Sequence, residues 1–273
     1  MIIKQALNWA HKRLAHSPSP TLDAEVILAF IINTSKEDIL THPEKKLSLL
    51  NIIRFYLAIK KRQRDFPVSY ITGLKEFYGR DFIVNKNTLI PRPESEQIID
   101  IVKNYYPKDS IIKILDLGTG SGCLAITLAL ELPKASVYAS DISSRALSVA
   151  KKNSQLLNTH IVFRRGDLLE PWLTEKNDVV VANLPYVTSE EMASEKSIKR
   201  EPNIALLEKD QMIPRLCKQL VEMRKPELII IESSPVLIHQ WIKDFATIFP
   251  LDNIKIISDA SGKERFILID NRQ

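Results

Sequence analysis

ILDLGTGSGCLA, residues 114–125, decides the fold. A short apolar run ends on Asp116. Gly118, Gly120 and Gly122 follow at alternate positions, and apolar sequence then resumes. Glycine tolerates positive φ and lets backbone N–H groups come close to a ligand, so this is a strand, a tight turn and a helix start. The spacing is G-x-G-x-G, not the G-x-G-x-x-G of many dinucleotide folds. A carboxylate at the mouth of the turn disfavours a bound phosphate. It favours a ligand with an amino-acid-like cationic end. Asp116, Gly118, Thr119, Gly120, Ser121 and Gly122 are therefore candidate cofactor-binding residues.

Strand and helix signals alternate on both sides of this turn. IIKIL, ASVYAS, HIVFRR, DVVVAN, LIIIE and IKIIS read as strands. Helical segments are expected at 122–132, within SSRALSVAKKNSQLL, at about 211–224 and at about 234–247. ERFILID follows Gly262 too closely for a crossover helix, so it should pair antiparallel. The pattern predicts a doubly wound, Rossmann-like, mostly parallel sheet of seven strands with one reversed. Asp141 stands at the tip of the second strand, where an acid accepts hydrogen bonds from ribose hydroxyls. Asp167 and Leu168 follow the third strand, where a carboxylate and an apolar side chain suit an adenine. The fourth strand, VVVANLPYVT at 179–188, ends on Asn183, Leu184, Pro185 and Tyr186. The Asn183 side-chain oxygen and the Leu184 carbonyl offer two acceptors, and Tyr186 offers a flat wall. That set suits a planar group bearing an NH₂. These four residues are the candidate catalytic group, with Asn183 also beside the cofactor.

None of the 7 glycines precedes Gly73, and the first 72 residues read as helices. Leu7, Ala10 and Leu14 keep helical spacing. Thr21 is a candidate N-cap for a helix carrying Leu22, Val26 and Ala29/Phe30 on one face. A third helix ends in Lys60, Lys61, Arg62 and Arg64, read as a solvated basic end suited to the macrodipole, and stops before Pro67. Residues 73–90 read as a β-hairpin linker around Gly79, and 91–273 as the catalytic domain. The 273 residues carry a net charge of +5, 26% charged and 45% hydrophobic residues, an ordinary globular balance. Cys123 and Cys217 give no disulfide framework, the histidines suggest no metal site, and the N-terminus has no signal-peptide pattern. Aliphatic runs are too short to span a bilayer. A cytoplasmic protein is expected.

Together the pieces predict a class I S-adenosylmethionine-dependent methyltransferase with an N-terminal α-helical domain. Asp116 and the glycine turn would take the methionine end, Asp141 the ribose, Asp167 and Leu168 the adenine. KKRQRDFPVSYITG, KEFYGRDF, TLIPRPESE, ILDLGTGSG, Asp141, Asn183–Tyr186 and REPNIALLEKD together resemble the bacterial release factor glutamine methyltransferases, the HemK/PrmC group. The resemblance implies that the substrate is the glutamine of the Gly-Gly-Gln tripeptide in peptide-chain release factors. It also implies that the helical domain contacts that partner. Two departures stand out: Leu184 replaces the first proline of the family's Asn-Pro-Pro-Tyr, and MRKPELIII lacks the usual glycine pair. A nucleic-acid adenine methyltransferase needs the same amino-holding loop and is the alternative. Base flipping would need a basic, aromatic-lined face. Near Tyr186, however, Lys196, Lys199 and Arg200 are balanced by Glu190, Glu191, Glu195 and Glu201. No direct nucleic-acid substrate is therefore expected.

Overall fold

The computed structural model describes residues 1–187, 198–207 and 211–272; Glu190, Glu191, Glu195 and Lys196 lie outside them. The chain forms two compact units. One is Met1–Leu74, with which residues 198–200 cluster, and the other begins at Lys75.

The first unit is helical: α1 (Ile3–Arg13), α2 (Pro20–Ile32), α3 (Lys36–Thr41), α4 (Leu49–Arg62) and α5 (Val68–Thr72). Pro20 occupies the first turn of α2, where its missing N–H costs nothing, so the helix opens at Ser19 and not at Thr21. The buried face of α2 also differs from expectation. Ala24, Ile27 and Leu28 are buried together with the expected Ala29, while Leu22 and Phe30 are exposed. The helix is apolar nearly all round, so periodicity could not choose its face. A buried acid does. Asp23 accepts hydrogen bonds from Ser17 Oγ (2.5 Å), Ser19 Oγ (3.1 Å) and Arg62 Nε (2.7 Å). Arg62 is therefore no solvated helix end. It also donates to Ser17 Oγ at 2.9 Å and is nearly as buried as its partner.

A hairpin, β1 (Leu74–Phe77) and β2 (Arg80–Ile83), opens the second unit from Lys75 onward. Tyr78 and Gly79 both have positive φ, the two-residue turn that matches strand twist. The hairpin is more than a connector. Phe77 and Phe82 are fully buried in the core of this unit. Buried Asn153 accepts from the Ile83 N–H at 2.8 Å and donates to the Ile83 carbonyl at 3.0 Å. After a turn at Pro93–Ser95 come α6 (Glu96–Tyr105), β3 (Lys113–Leu117), α7 (Cys123–Glu131), β4 (Ser136–Asp141), α8 (Ser144–Leu156), β5 (Ile161–Arg165) and β6 (Val179–Asn183). Then follow α9 (Met212–Glu222), β7 (Leu228–Glu232), α10 (Ile238–Phe245), β8 (Ile254–Ser258) and β9 (Glu264–Asp270).

The seven-stranded sheet has the order β5-β4-β3-β6-β7-β9-β8. All its pairs are parallel except those of β9, which runs antiparallel to β7 and β8, the reversed strand the sequence predicts. Apolar cores cover both faces, which is why β6 and β7 are almost continuously apolar. The chain order reverses between β3 and β6, which opens a crevice at their carboxyl ends. Among the described residues, no helix is long and apolar enough to cross a membrane.

Truncating Asp23 would leave Arg62 buried without its acid. Asp23→Ala should lower the stability of the helical unit by about 3 kcal/mol, read by urea unfolding.

Candidate active site

The crevice holds a cavity of about 500 Å³. Its wall contains Asp116, Gly118, Thr119, Gly120 and Ser121 from the β3 turn. Asp141 from β4, Asp167 and Leu168 after β5, and Asn183, Leu184 and Pro185 after β6 complete the predicted set on that wall. Two predicted residues are not on it. Gly122 has φ +83°, and a Cβ there would stand 3.0 Å from Ile126 Cδ1 and 3.1 Å from the Ala150 Cβ. Its place is helix packing. Tyr186 is partly buried against the core, with its hydroxyl donating to Glu232 Oε1 at 2.7 Å.

Asp116 is fully buried. One carboxylate oxygen accepts from Thr119 Oγ1 at 2.6 Å and from the Ala125 N–H at 3.3 Å. The other, Oδ1, is buried and has no partner among the described residues. Burial pushes the Asp116 carboxyl up to about 7, against the pull of its two donors, and the nearby Asp141 charge adds to the rise. Asp141 is also raised by burial, opposed by the Ser143 and Gly120 N–H groups that it accepts at 2.8 and 2.9 Å. An orphaned buried carboxylate oxygen and a second acid one strand away fit a ligand with an ammonium at one end and vicinal hydroxyls in the middle. S-adenosylmethionine has that chemistry.

The Asp167 segment is built differently. Leu168 has φ +52°. Its carbonyl accepts from Ser140 Oγ at 3.2 Å, and Gln219 reaches the carbonyl of Asp167 and the N–H of Leu169. Gly166 is pressed against Pro171, where a Cβ would meet the ring Cγ at 2.2 Å.

Asn183 donates through Nδ2 to Ser95 Oγ at 2.7 Å, while its Oδ1 is buried without a partner among the described residues. Ser95 Oγ in turn donates to Glu232 Oε2 at 2.6 Å. Leu184 is buried, and its Cδ2 lies 3.2 Å from where a Gly118 Cβ would stand. Packing thus anchors the loop at the position where a proline ring is usual in the resembling family.

Sequence reasoning missed Glu201, Ser95 and Glu232. Glu201 accepts from the Ile90 N–H at 2.9 Å and from Arg92 Nη2 at 2.6 Å. Arg92 therefore braces the loop that delivers Ser95. The signals were present in PRPESE, REP and IIIE, but nothing local says that segments more than a hundred residues apart meet.

Comparison with known proteins agrees with this architecture. Residues 5–73 match the PrmC N-terminal domain, and residues 100–203 match the methyltransferase small domain. The release factor glutamine methyltransferase of Koribacter versatilis is 38% identical and is covered over 98% of each chain. That of Bacillus subtilis is 32% identical over 97% of this chain and 96% of its own. The chain belongs to the release factor glutamine methyltransferase family. Among solved structures, the hMettl16 catalytic domain in complex with a MAT2A 3′UTR hairpin superposes with a TM-score of 0.56 at 14% identity, over 90% of this chain and 93% of that one. The Thermus thermophilus 16S rRNA N2 G1207 methyltransferase, in complex with AdoMet and guanosine, gives 0.54 at 14% identity, over 73% and 50%. At that identity the likeness concerns the fold. As a family member, the chain has the class I methyltransferase architecture that its sequence predicts.

Two outcomes test the cofactor end of this family member's site. Raising the pH through 7 ionises Asp116 and creates the carboxylate that an ammonium needs. The Kd for S-adenosylmethionine should therefore fall by up to about tenfold from pH 6 to pH 8, and Asp116→Asn should flatten that dependence. Calorimetry reads both, and a flat wild-type profile would remove Asp116 from the ammonium site. Gly166→Ala has no room beside Pro171 and should cost about 1–3 kcal/mol in thermal melting, with weaker cofactor binding.

Proposed function

We propose that this protein transfers a methyl group from S-adenosylmethionine to the side-chain amide nitrogen of the glutamine in the Gly-Gly-Gln motif of peptide-chain release factors. The observation that carries this reading is the Asn183 amide. Its nitrogen is committed to Ser95, its oxygen is buried and unpaired among the described residues, and the residue lines the same cavity as Asp116, whose Oδ1 is likewise unpaired. The names of the family relatives supply the release factor.

In this reading Asp116 and the β3 turn hold the methionine end, Asp141 the ribose, and Asp167 with Leu168 the adenine. The cofactor, when bound, supplies a methyl group on a positively charged sulfur that leaves as a neutral thioether. Asn183 Oδ1 and the Leu184 carbonyl accept the two N–H bonds of the substrate amide. An amide nitrogen is a poor nucleophile because its lone pair is shared with the carbonyl. Two acceptors in fixed positions hold that nitrogen with its lone pair toward the methyl carbon, and the rate gain comes from this positioning. Once alkylated, the nitrogen is strongly acidic, and water takes its proton without a dedicated base. The helical unit serves as the docking surface for the release factor. The reducing cytoplasm is the natural place for this chemistry, in keeping with two free thiols at Cys123 and Cys217.

Radiolabelled S-adenosylmethionine should label a purified release factor. It should not label the same factor with its Gly-Gly-Gln glutamine changed to alanine, nor RNA or genomic DNA. Label on nucleic acid alone would mean that the Asn183–Tyr186 loop holds an adenine. Asn183→Ala should reduce kcat by about a hundredfold or more while cofactor affinity stays nearly normal. Equal loss of both would sink the role given to Asn183.

A further inference from the structure

Glu232 ends β7 directly beside Asn183 in the parallel ladder. Its side chain is buried, 1% exposed, and its two hydrogen-bond partners are neutral hydroxyls, Ser95 Oγ and Tyr186 Oη. A buried carboxylate is expensive, and an apolar or amide side chain would cost less to place there. The reason for a carboxylate lies in the direction of its hydrogen bonds.

A carboxylate only accepts. Ser95 has one hydroxyl proton, and Glu232 Oε2 takes it at 2.6 Å. Ser95 Oγ is then left facing Asn183 with lone pairs alone. Only the NH₂ end of the Asn183 amide can meet it, and Nδ2 does so at 2.7 Å. Oδ1 is thereby the end left unpaired. If the carboxylate were absent, the Ser95 hydroxyl could turn and donate to Oδ1. The amide would then flip and present two N–H donors to an incoming NH₂ group, which accepts neither. The other oxygen of Glu232 holds the Tyr186 hydroxyl at 2.7 Å, so one carboxylate fixes both ends of the Asn183–Tyr186 tetrapeptide.

We infer that Glu232 is a positioning residue for methyl transfer, acting through Ser95 to hold the Asn183 side chain with its oxygen toward the acceptor nitrogen. This rests on the functional reading above. Glu232 does not touch the reacting atoms. It sets hydrogen-bond polarity, one relay removed from the substrate.

The test uses the full chain, a purified release factor and four proteins: wild type, Glu232→Gln, Ser95→Ala and Ser95→Thr. Glu232→Gln keeps the shape but can donate to Ser95, which frees the serine proton for Asn183. Both Glu232→Gln and Ser95→Ala should lower kcat about tenfold or more, as when an orienting group behind a reacting residue is removed. The Kd for S-adenosylmethionine should change by less than about twofold, and Ser95→Thr, which keeps the hydroxyl, should recover most of kcat. Wild-type kcat in both Glu232→Gln and Ser95→Ala overturns the assignment. So does a Ser95→Thr enzyme as slow as Ser95→Ala, or a loss confined to melting temperature with kcat per folded molecule unchanged. If Glu232→Gln does not fold, the Ser95 pair decides alone. Absence of methyl transfer by the wild type overturns the functional reading and this assignment with it. Wild-type transfer with insensitive variants overturns the assignment only.

Discussion

Two parallel strands that lie side by side cannot be joined by a tight turn, and in this chain β3 and β6 are such a pair. Their register sets Leu117 opposite Ala182; β3 ends there, while β6 runs one residue further, to Asn183, which still pairs with β7. The crossovers from β3 run one way along the sheet, and those from β6 run the other. The divergence opens the cavity there, and residues from 87–91 and 203–207 add to its lining. Asp116 stands at one lip and Asn183 at the other. The placement of the cofactor pocket, and of the loop that faces it, follows from that single pairing.

The lip is costly to build. Asp116, Asp141 and Glu232 are carboxylates held largely away from water, and all three have their pKa raised by burial. Natural cores rarely leave polar atoms unpaired, yet among the described residues Asp116 Oδ1 and Asn183 Oδ1 both lack a partner, and both belong to residues of one cavity. A fold that only needed stability would have filled those positions with apolar side chains. The helical unit shows the contrast. Its buried Asp23 is saturated by two hydroxyls and a guanidinium, and that acid serves architecture alone.

Much of this was legible in the sequence because the signals are local. The β3 turn has glycines at fixed offsets, Asp116 precedes them by two residues, and the apolar β6 run stops abruptly at Asn183. The antiparallel β9 was legible too, since five residues between β8 and β9 leave no space for a helix. What escaped was non-local or degenerate. The face of α2 could not be chosen because its apolar residues wrap the whole helix, and Arg62 looked like a solvent-facing cation because its acid lies 39 positions away. Ser95 meets Asn183 across 88 positions and Glu232 across 137, so no window on the sequence contains that triad.

The contact between Leu184 and Gly118 carries a consequence of its own. The loop that would grip the methyl acceptor rests its side chain on the loop that would cradle the methyl donor. The glycine leaves room for that side chain, and the leucine fills it. In the proposed reaction the side chain at position 184 would act as a spacer between the acceptor loop and the donor loop, so its size would bear on how closely the two reactants approach.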